Sequence, residues 1–167
     1  LLRPLRIMIA GIPNVGKSTL VNRLVASKRA QVGPRPGVTR NQQWIRIGDS
    51  VDLLDTPGVL WPRIRAKRTE LKLGLIGAIK DELIGAELLA EYLWDTARNA
   101  PESLSFARYG LATPPDSPEE LLEAVGRRRG WLGAGGTVDA CKSATMILKE
   151  FRDGQLGRAT LDPIPAD

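Results

Sequence analysis

Residues 5–29 read LRIMIAGIPNVGKSTLVNRLVASKR, and no other stretch restricts the possible folds as sharply. Leu5 to Ala10 is an apolar run long enough for one buried strand. Gly11, Gly16, Lys17 and Ser18 then satisfy G-x-x-x-x-G-K-[ST] at every position. Leu20, Val21, Leu24 and Val25 follow at helical spacing and make one apolar face. Strand, glycine loop and helix in this order predict a phosphate-binding loop. The glycines allow backbone angles closed to other residues, so successive N–H groups turn inward towards a polyphosphate. The helix N-terminus adds partial positive charge. In such a loop Lys17 reaches the β- and γ-phosphates as a point charge, and the Ser18 hydroxyl binds magnesium.

The next stretch, residues 30–43 (AQVGPRPGVTRNQQ), reads as a long loop with Thr39 inside it. A threonine there either serves a turn or, in phosphate-loop GTPases, binds magnesium and senses the γ-phosphate. Trp44–Ile47 and Val51–Leu54 are β-favouring runs separated by Gly48-Asp49-Ser50, a hairpin pattern. The second run ends in Asp55-Thr56-Pro57-Gly58. An Asp at a strand end beside the loop can hold magnesium through water, and Gly58 can offer its N–H to a γ-phosphate. Asn14 lies within the loop itself. It either stabilises a turn or holds a monovalent cation against the β-phosphate, in the manner of an arginine finger.

Two expected features are missing. Val59, Leu60, Trp61 and Pro62 follow Gly58, and none can orient an attacking water as a switch Gln does. None of the seven lysines has Asp two residues later, so the chain has no Asn-Lys-x-Asp motif to read guanine. Either that motif lies upstream, or the nucleotide is not a guanine nucleotide. The first strand begins almost at Leu1, which reads as a fragment or a processed chain.

Beyond Pro62 the pattern turns helical. Leu71, Leu75, Ile76 and Ile79 share helical spacing, with Gly74 and Gly77 between them to allow close packing. Residues 86–99 predict a second helix. Ser117 before Pro118 predicts an N-cap for a third over 118–129. A fourth spans 137–152, with Cys141, Ala144, Leu148 and Phe151 on its apolar face and Lys142, Lys149 and Arg152 on a basic stripe. The architecture predicted is an α/β phosphate-loop portion, residues 1–62, followed by an all-helical portion, residues 63–167. The first carries nine Lys and Arg against three Asp and Glu, which suits anion binding; the second is close to balanced. Within it, Arg63, Arg65, Lys67, Arg68 and Lys72 cluster, as do Arg127, Arg128 and Arg129. Solvated helix ends and nucleic-acid contacts account for such clusters equally well. The chain has no histidine, which excludes Ser-His catalysis and the commonest transition-metal ligand. Cys141 is the single cysteine, so no internal disulfide forms and no disulfide-linked partner is expected; a reducing, cytoplasmic setting fits. No run of 18 apolar residues predicts a membrane span.

The strings GIPNVGKSTLVNRL, RPGVTRNQQW, LLDTPGVLWP, GAIKDEL and GGTVDACKSATMILKEFRDGQLGRATL, in this order, resemble the ribosome biogenesis GTPase A (YlqF) family. Its members are circularly permuted GTPases of the TrmE–Era class, and the resemblance runs over nearly the whole chain. It implies a partial GTPase domain whose base-reading half precedes the phosphate loop. It also implies GTP hydrolysis coupled to maturation of the large ribosomal subunit, with GTP or GDP, magnesium and potassium bound and the subunit precursor and its rRNA as partners. Carried onto matching positions, Gly11 and Asn14, Val15, Gly16, Lys17, Ser18 and Thr19 contact the phosphates, with Ser18 on magnesium and Asn14 on potassium. Thr39 is the switch threonine, Asp55 and Gly58 sense magnesium and the γ-phosphate, and Val59 and Leu60 are the family's apolar replacement for Gln. The resemblance favours rRNA phosphates for Arg63, Arg65, Lys67, Arg68, Arg127, Arg128, Arg129, Lys142, Lys149 and Arg152. A non-enzymatic RNA-binding module and a phosphate-loop ATPase remain as alternatives.

Overall fold

The computed structural model describes residues 3–26 and 42–162. The chain divides into two compact units, Leu1–Arg63 and Ile64–Asp167. In the first, β1 (Leu5–Ile9), α1 (Lys17–Ala26), β2 (Gln43–Ile47) and β3 (Val51–Asp55) form a sheet in the order β1-β3-β2 with one helix. β2 and β3 are an antiparallel hairpin, and Gly48 turns between them at φ 60°. β1 pairs with β3 in parallel, Leu5 opposite Val51 and Ile9 opposite Asp55. Parallel strands of equal register end together, so the segments after Ile9 and Asp55 leave the sheet at the same edge.

The side-chain period of two sorts these strands into faces. Ile9, Ile45, Ile47, Val51 and Leu53 meet Val21 and Val25 of α1 and make this unit's core. The opposite face carries Arg6, Met8, Trp44, Arg46 and Asp52. There Arg46 grips Asp52 with two hydrogen bonds of 2.7 and 3.1 Å, and the Arg6 guanidinium lies 5.5 Å from the Trp44 ring centre. The expectation of a buried first strand is corrected. β1 has one neighbour among the described residues, and Leu5 and Met8 are 62% and 64% exposed. On α1, Val21 and Val25 are buried while Leu20 and Leu24 stay exposed, so the sheet covers half of the apolar face.

The second unit contains α2 (Lys67–Leu75), a single turn α3 (Asp81–Ile84), α4 (Ala86–Asn99), α5 (Pro118–Arg129) and α6 (Ala140–Arg152), with short 3₁₀ turns at Ala107–Tyr109 and Ala134–Gly136. Leu89, Leu93 and Ala97 of α4, Leu121 and Val125 of α5, and Ala144, Ile147 and Leu148 of α6 build its core with Phe106 and Leu156. The α5 start forms as its residues dictate: Ser117 Oγ accepts the Glu120 N–H at 3.2 Å, and Pro118 takes the first helical position. Gly126 lets α5 press close. A Cβ there would collide with Val138 and lie 2.7 Å from Ser143 Oγ. No helix among the described residues is long and apolar enough to cross a membrane.

Three expectations change in this unit. α2 stops at Leu75, because Gly77 adopts φ 73° and turns the chain, so Ile76 and Ile79 lie outside it. Gly74 does pack closely: a Cβ would stand 2.6 Å from both Ile84 Cδ1 and Leu89 Cδ2. α6 begins at Ala140, since Asp139 caps it by accepting the Lys142 N–H at 2.9 Å, and Cys141 is exposed rather than apolar lining.

Arg152 has a role that the basic stripe did not anticipate. Its guanidinium donates to the carbonyls of Leu75 (2.9 Å) and Gly74 (2.7 Å) and pairs with both oxygens of Asp81 (2.9 and 2.6 Å). One side chain thereby satisfies two carbonyls at the α2 C-terminus and ties α2, α3 and α6 together. A second polar knot surrounds the buried carboxylate of Glu150, which accepts from Tyr109 Oη and from the Arg129 guanidinium, with Arg108 Nε 3.4 Å away. Burial, and then Glu150, hold the Tyr109 phenol above its ordinary pKa of 10.

Replacing Arg152 with Ala leaves those carbonyls and Asp81 without their donor, and the expected loss is about 2–4 kcal/mol in denaturant unfolding. Tyr109→Phe is expected to destabilise the chain most below pH 10. Because the folded-state pKa is raised, the advantage of the native tyrosine is full below the unfolded value of 10 and shrinks as pH rises above it. Melting temperatures of the two proteins measured from pH 8 to roughly pH 11 should therefore converge.

Candidate phosphate-binding site

The phosphate loop runs from the end of β1 to the first residue of α1. Asn14 has φ 59°, the one positive value outside glycine among the described residues, and Gly16 has φ 88°. Asn tolerates this left-handed geometry better than most side chains. The loop closes onto the helix through the Leu20 N–H, which donates to Gly16 O at 2.9 Å. Lys17 bends back over the loop, its ammonium donating to Ile12 O (2.7 Å) and Gly11 O (3.1 Å). α1 has no acidic residue in its first turn, so no carboxylate of its own offsets the positive end of its dipole. The arrangement offers a fixed ammonium, backbone N–H groups and the Ser18 hydroxyl at one helix start, which is a cradle for phosphate oxygens.

The turn after β3 is seated against this loop. Asp55 is buried at the strand end, opposite Ile9. Thr56 Oγ1 donates to Ile9 O at 2.7 Å, and the Val59 N–H donates to Gly11 O at 3.1 Å. Gly58 lies so close that a Cβ would stand 2.6 Å from Pro13 Cα and 2.7 Å from Pro13 N. Two segments more than forty residues apart are thus locked into one site. Val59 and Trp61 are strongly exposed. Thr39 lies outside the described residues. Among those described, no group of three or more His, Cys, Asp and Glu side chains gathers as a metal site. The donors that the loop and turn do bring together, Asp55 and Ser18, do not suit zinc. One buried carboxylate, one hydroxyl and ligand phosphates are what magnesium uses.

The basic residues separate into committed and uncommitted ones. Lys67 pairs with Glu70 at 2.9 Å, Lys72 pairs with Asp162, and Arg68 lies beside Tyr92, whose phenol holds the guanidinium above its ordinary pKa. Arg127 binds Glu123 one helical turn away, and Lys142 and Lys149 make similar local pairs with Asp139 and Asp153. These surface pairs are weak and leave the charge accessible. Arg129 and Arg152 differ, since Glu150 and the α2 C-terminus hold their guanidinium groups as structural donors. Arg63, Arg65 and Arg128 form no ion pair among the described residues. Arg108, next to Tyr109 and Gln155, was not singled out in the sequence. The available signal was Glu150, a carboxylate three residues beyond Ile147 on the buried side of α6.

A profile of the family described as 50S ribosome-binding GTPase matches residues 6–100. The chain is 47% identical over 161 residues to ribosome biogenesis GTPase A of Priestia megaterium, covering 96% of this chain and 56% of that protein. It is 39% identical to mitochondrial ribosome-associated GTPase 1 of Mus musculus, covering 93% of this chain and 54% of the relative. Among solved structures, GDP-bound YlqF and GNP-bound YlqF from Thermotoga maritima each superpose with a TM-score of 0.65. Their identities are 30% and 29%, with 97% of this chain and 62% and 60% of those chains covered. The chain spans about half the length of the curated relatives it matches.

Gly58→Ala is expected to unseat the turn, because its Cβ meets backbone rather than a movable side chain. In hydrogen exchange the Val59 amide should lose its protection while amides of β3 keep theirs; unchanged protection at Val59 would contradict the contact.

Proposed function

The chain belongs to the 50S ribosome-binding GTPase family, and on that premise we propose that it is the phosphate-binding and ribosome-facing part of a GTP-hydrolysing assembly factor for the large ribosomal subunit. Backbone N–H groups from Asn14 to Thr19, with Gly11 and Val15 shaping the loop, cradle the phosphates of GTP or GDP, and Lys17 supplies the fixed charge. Ser18, Asp55 and Thr39 hold magnesium, which when bound neutralises charge on the β- and γ-phosphate oxygens. Asn14 holds potassium. Gly58 presents its N–H towards the γ-phosphate. Val59 and Leu60 place no polar group on an attacking water, so the group that orients it comes from outside this segment.

The base-reading half of the domain precedes the phosphate loop in this reading, as a circular permutation. The exposure of β1, which has one strand neighbour among the described residues, supports it, because a parallel strand with an LRIMI sequence is ordinarily covered on both faces and paired on both sides. The nucleotide state acts through the Asp55–Gly58 turn. The second unit is the separate helical domain that meets ribosomal RNA, through Arg65, Lys67, Arg68, Arg127 and Arg128 and the exposed lysines of α6, with Arg63 at the end of the first unit adding to the cluster. Its setting is the cytoplasm, where assembling subunits are found.

One observation carries the reading: the parallel register of Ile9 with Asp55 sets the phosphate loop and the Asp-Thr-Pro-Gly turn side by side, joined by Val59 N–H to Gly11 O. Lys17→Ala is expected to abolish GTP binding, measured by nucleotide titration, without altering the melting temperature by more than a few degrees. Single-turnover hydrolysis should accelerate with potassium and with large ribosomal subunits. Equal affinity for ATP and GTP would remove the guanine assignment, and retained binding by Lys17→Ala would remove the loop.

A further inference from the structure

The second unit contains a small cavity of about 180 Å³ whose walls are Arg108, Tyr109, Arg128 and Arg129. Three guanidinium groups from two distant segments meet there, and among the described residues no carboxylate lines it. Like charges gather in this way only where something holds them. That something is Glu150, buried on α6. It accepts from Tyr109 Oη and from Arg129, with Arg108 Nε 3.4 Å away, while Arg108 also donates to Gln155 Oε1 at 2.6 Å. One buried negative charge therefore organises two positive ones, and Arg128 adds a third. Arg128 is exposed and makes no ion pair among the described residues. Local helix chemistry does not use it either: the carbonyls of Gly126 and Arg127 at the α5 C-terminus already accept from the N–H groups of Trp131 (2.9 Å) and Gly130 (3.2 Å).

We propose that the Arg108–Arg128–Arg129 cavity is a binding site for a backbone phosphodiester of folded ribosomal RNA. The surplus of positive charge calls for an anion, and guanidinium forks match the paired oxygens of a phosphate. The cavity is open, and its one aromatic wall, Tyr109, is buried with the Arg108 guanidinium 5.9 Å from its ring centre, so no ring is left for a base to stack on and the contact is to backbone, reading shape rather than sequence. Glu150 is a positioning residue: it fixes the angle at which Arg108 and Arg129 face the cavity. Arg129 thus has a structural bond on one side and a ligand on the other, and Arg108 enters the RNA surface although the charge clusters of the sequence do not include it. This site rests on the proposal that the helical unit meets ribosomal RNA, and it narrows that proposal to one pocket.

The test measures binding of the full chain to deproteinised large-subunit ribosomal RNA over a potassium chloride series. Arg128→Gln is the principal variant, since its side chain supports no structural bond among the described residues. Arg108→Gln is the second, with its melting temperature checked, and Lys80→Gln is the charge control. The expected result is a loss of about fivefold in affinity for each arginine variant, with the slope of log K against log salt reduced by about one, and no change in slope for Lys80→Gln. RNA binding by the native chain with an unchanged slope for both arginine variants would overturn the pocket and leave the wider RNA reading standing. If the native chain fails to bind the RNA, both fall. Inorganic phosphate, titrated alone while the arginine side-chain N–H resonances are followed, separates the sources. Saturation by phosphate with no response to RNA assigns the pocket to a small anion and overturns the proposal.

Discussion

The parallel pairing of β1 with β3 is the constraint on which the first unit depends. Its register ends both strands together, Ile9 beside Asp55. The phosphate loop and the Asp-Thr-Pro-Gly turn therefore leave the sheet at one end and are joined by the Val59 N–H to Gly11 O and the Thr56 hydroxyl to Ile9 O. A shift of one residue would turn the Asp55 carboxylate to the opposite face, because side chains alternate with a period of two. Open α/β sheets bind ligands at the carboxyl ends of their strands for the same geometric reason. The close seat of Gly58 on Pro13 follows from this pairing too, and puts the turn in direct contact with the loop.

The helical unit is organised differently, around a few charges taken out of water. A buried carboxylate is costly unless its hydrogen bonds are met, and Glu150 meets them with a phenol and a guanidinium. Arg152 does the converse, a cation spent on two carbonyls and one aspartate. Such groups stabilise by geometry, and removing one partner costs more than the pair contributes. They also divide the arginines into two populations. Those facing buried acceptors shape the fold, while Arg65 and Arg128 keep their charge on the surface.

Much of this was legible from residue order. The phosphate loop, the hairpin, the Ser117 cap and the helices over 86–99 and 118–129 are local, and local rules settle them. Propensity was misleading where distant neighbours decide. The LRIMI run reads as a buried strand, yet its described surroundings leave it an edge. The apolar series through Ile79 reads as one helix, yet Gly77 turns left-handed and ends it. Cys141 counts as apolar in a helical wheel but faces solvent.

By itself the sequence determined the chemistry on offer: a loop that cradles phosphates, an acid at a strand end, no histidine, no switch Gln, and a family resemblance that named the rest. Only the tertiary structure decided which charges remain available. Arg128, Arg129 and Arg152 look alike in the chain, because charge is a property of the residue. Whether a guanidinium is spent on Glu150, on the end of α2 or on nothing within the described fold depends on groups 21 to 78 residues away. Pairing at that range is set by packing, and no local pattern encodes it.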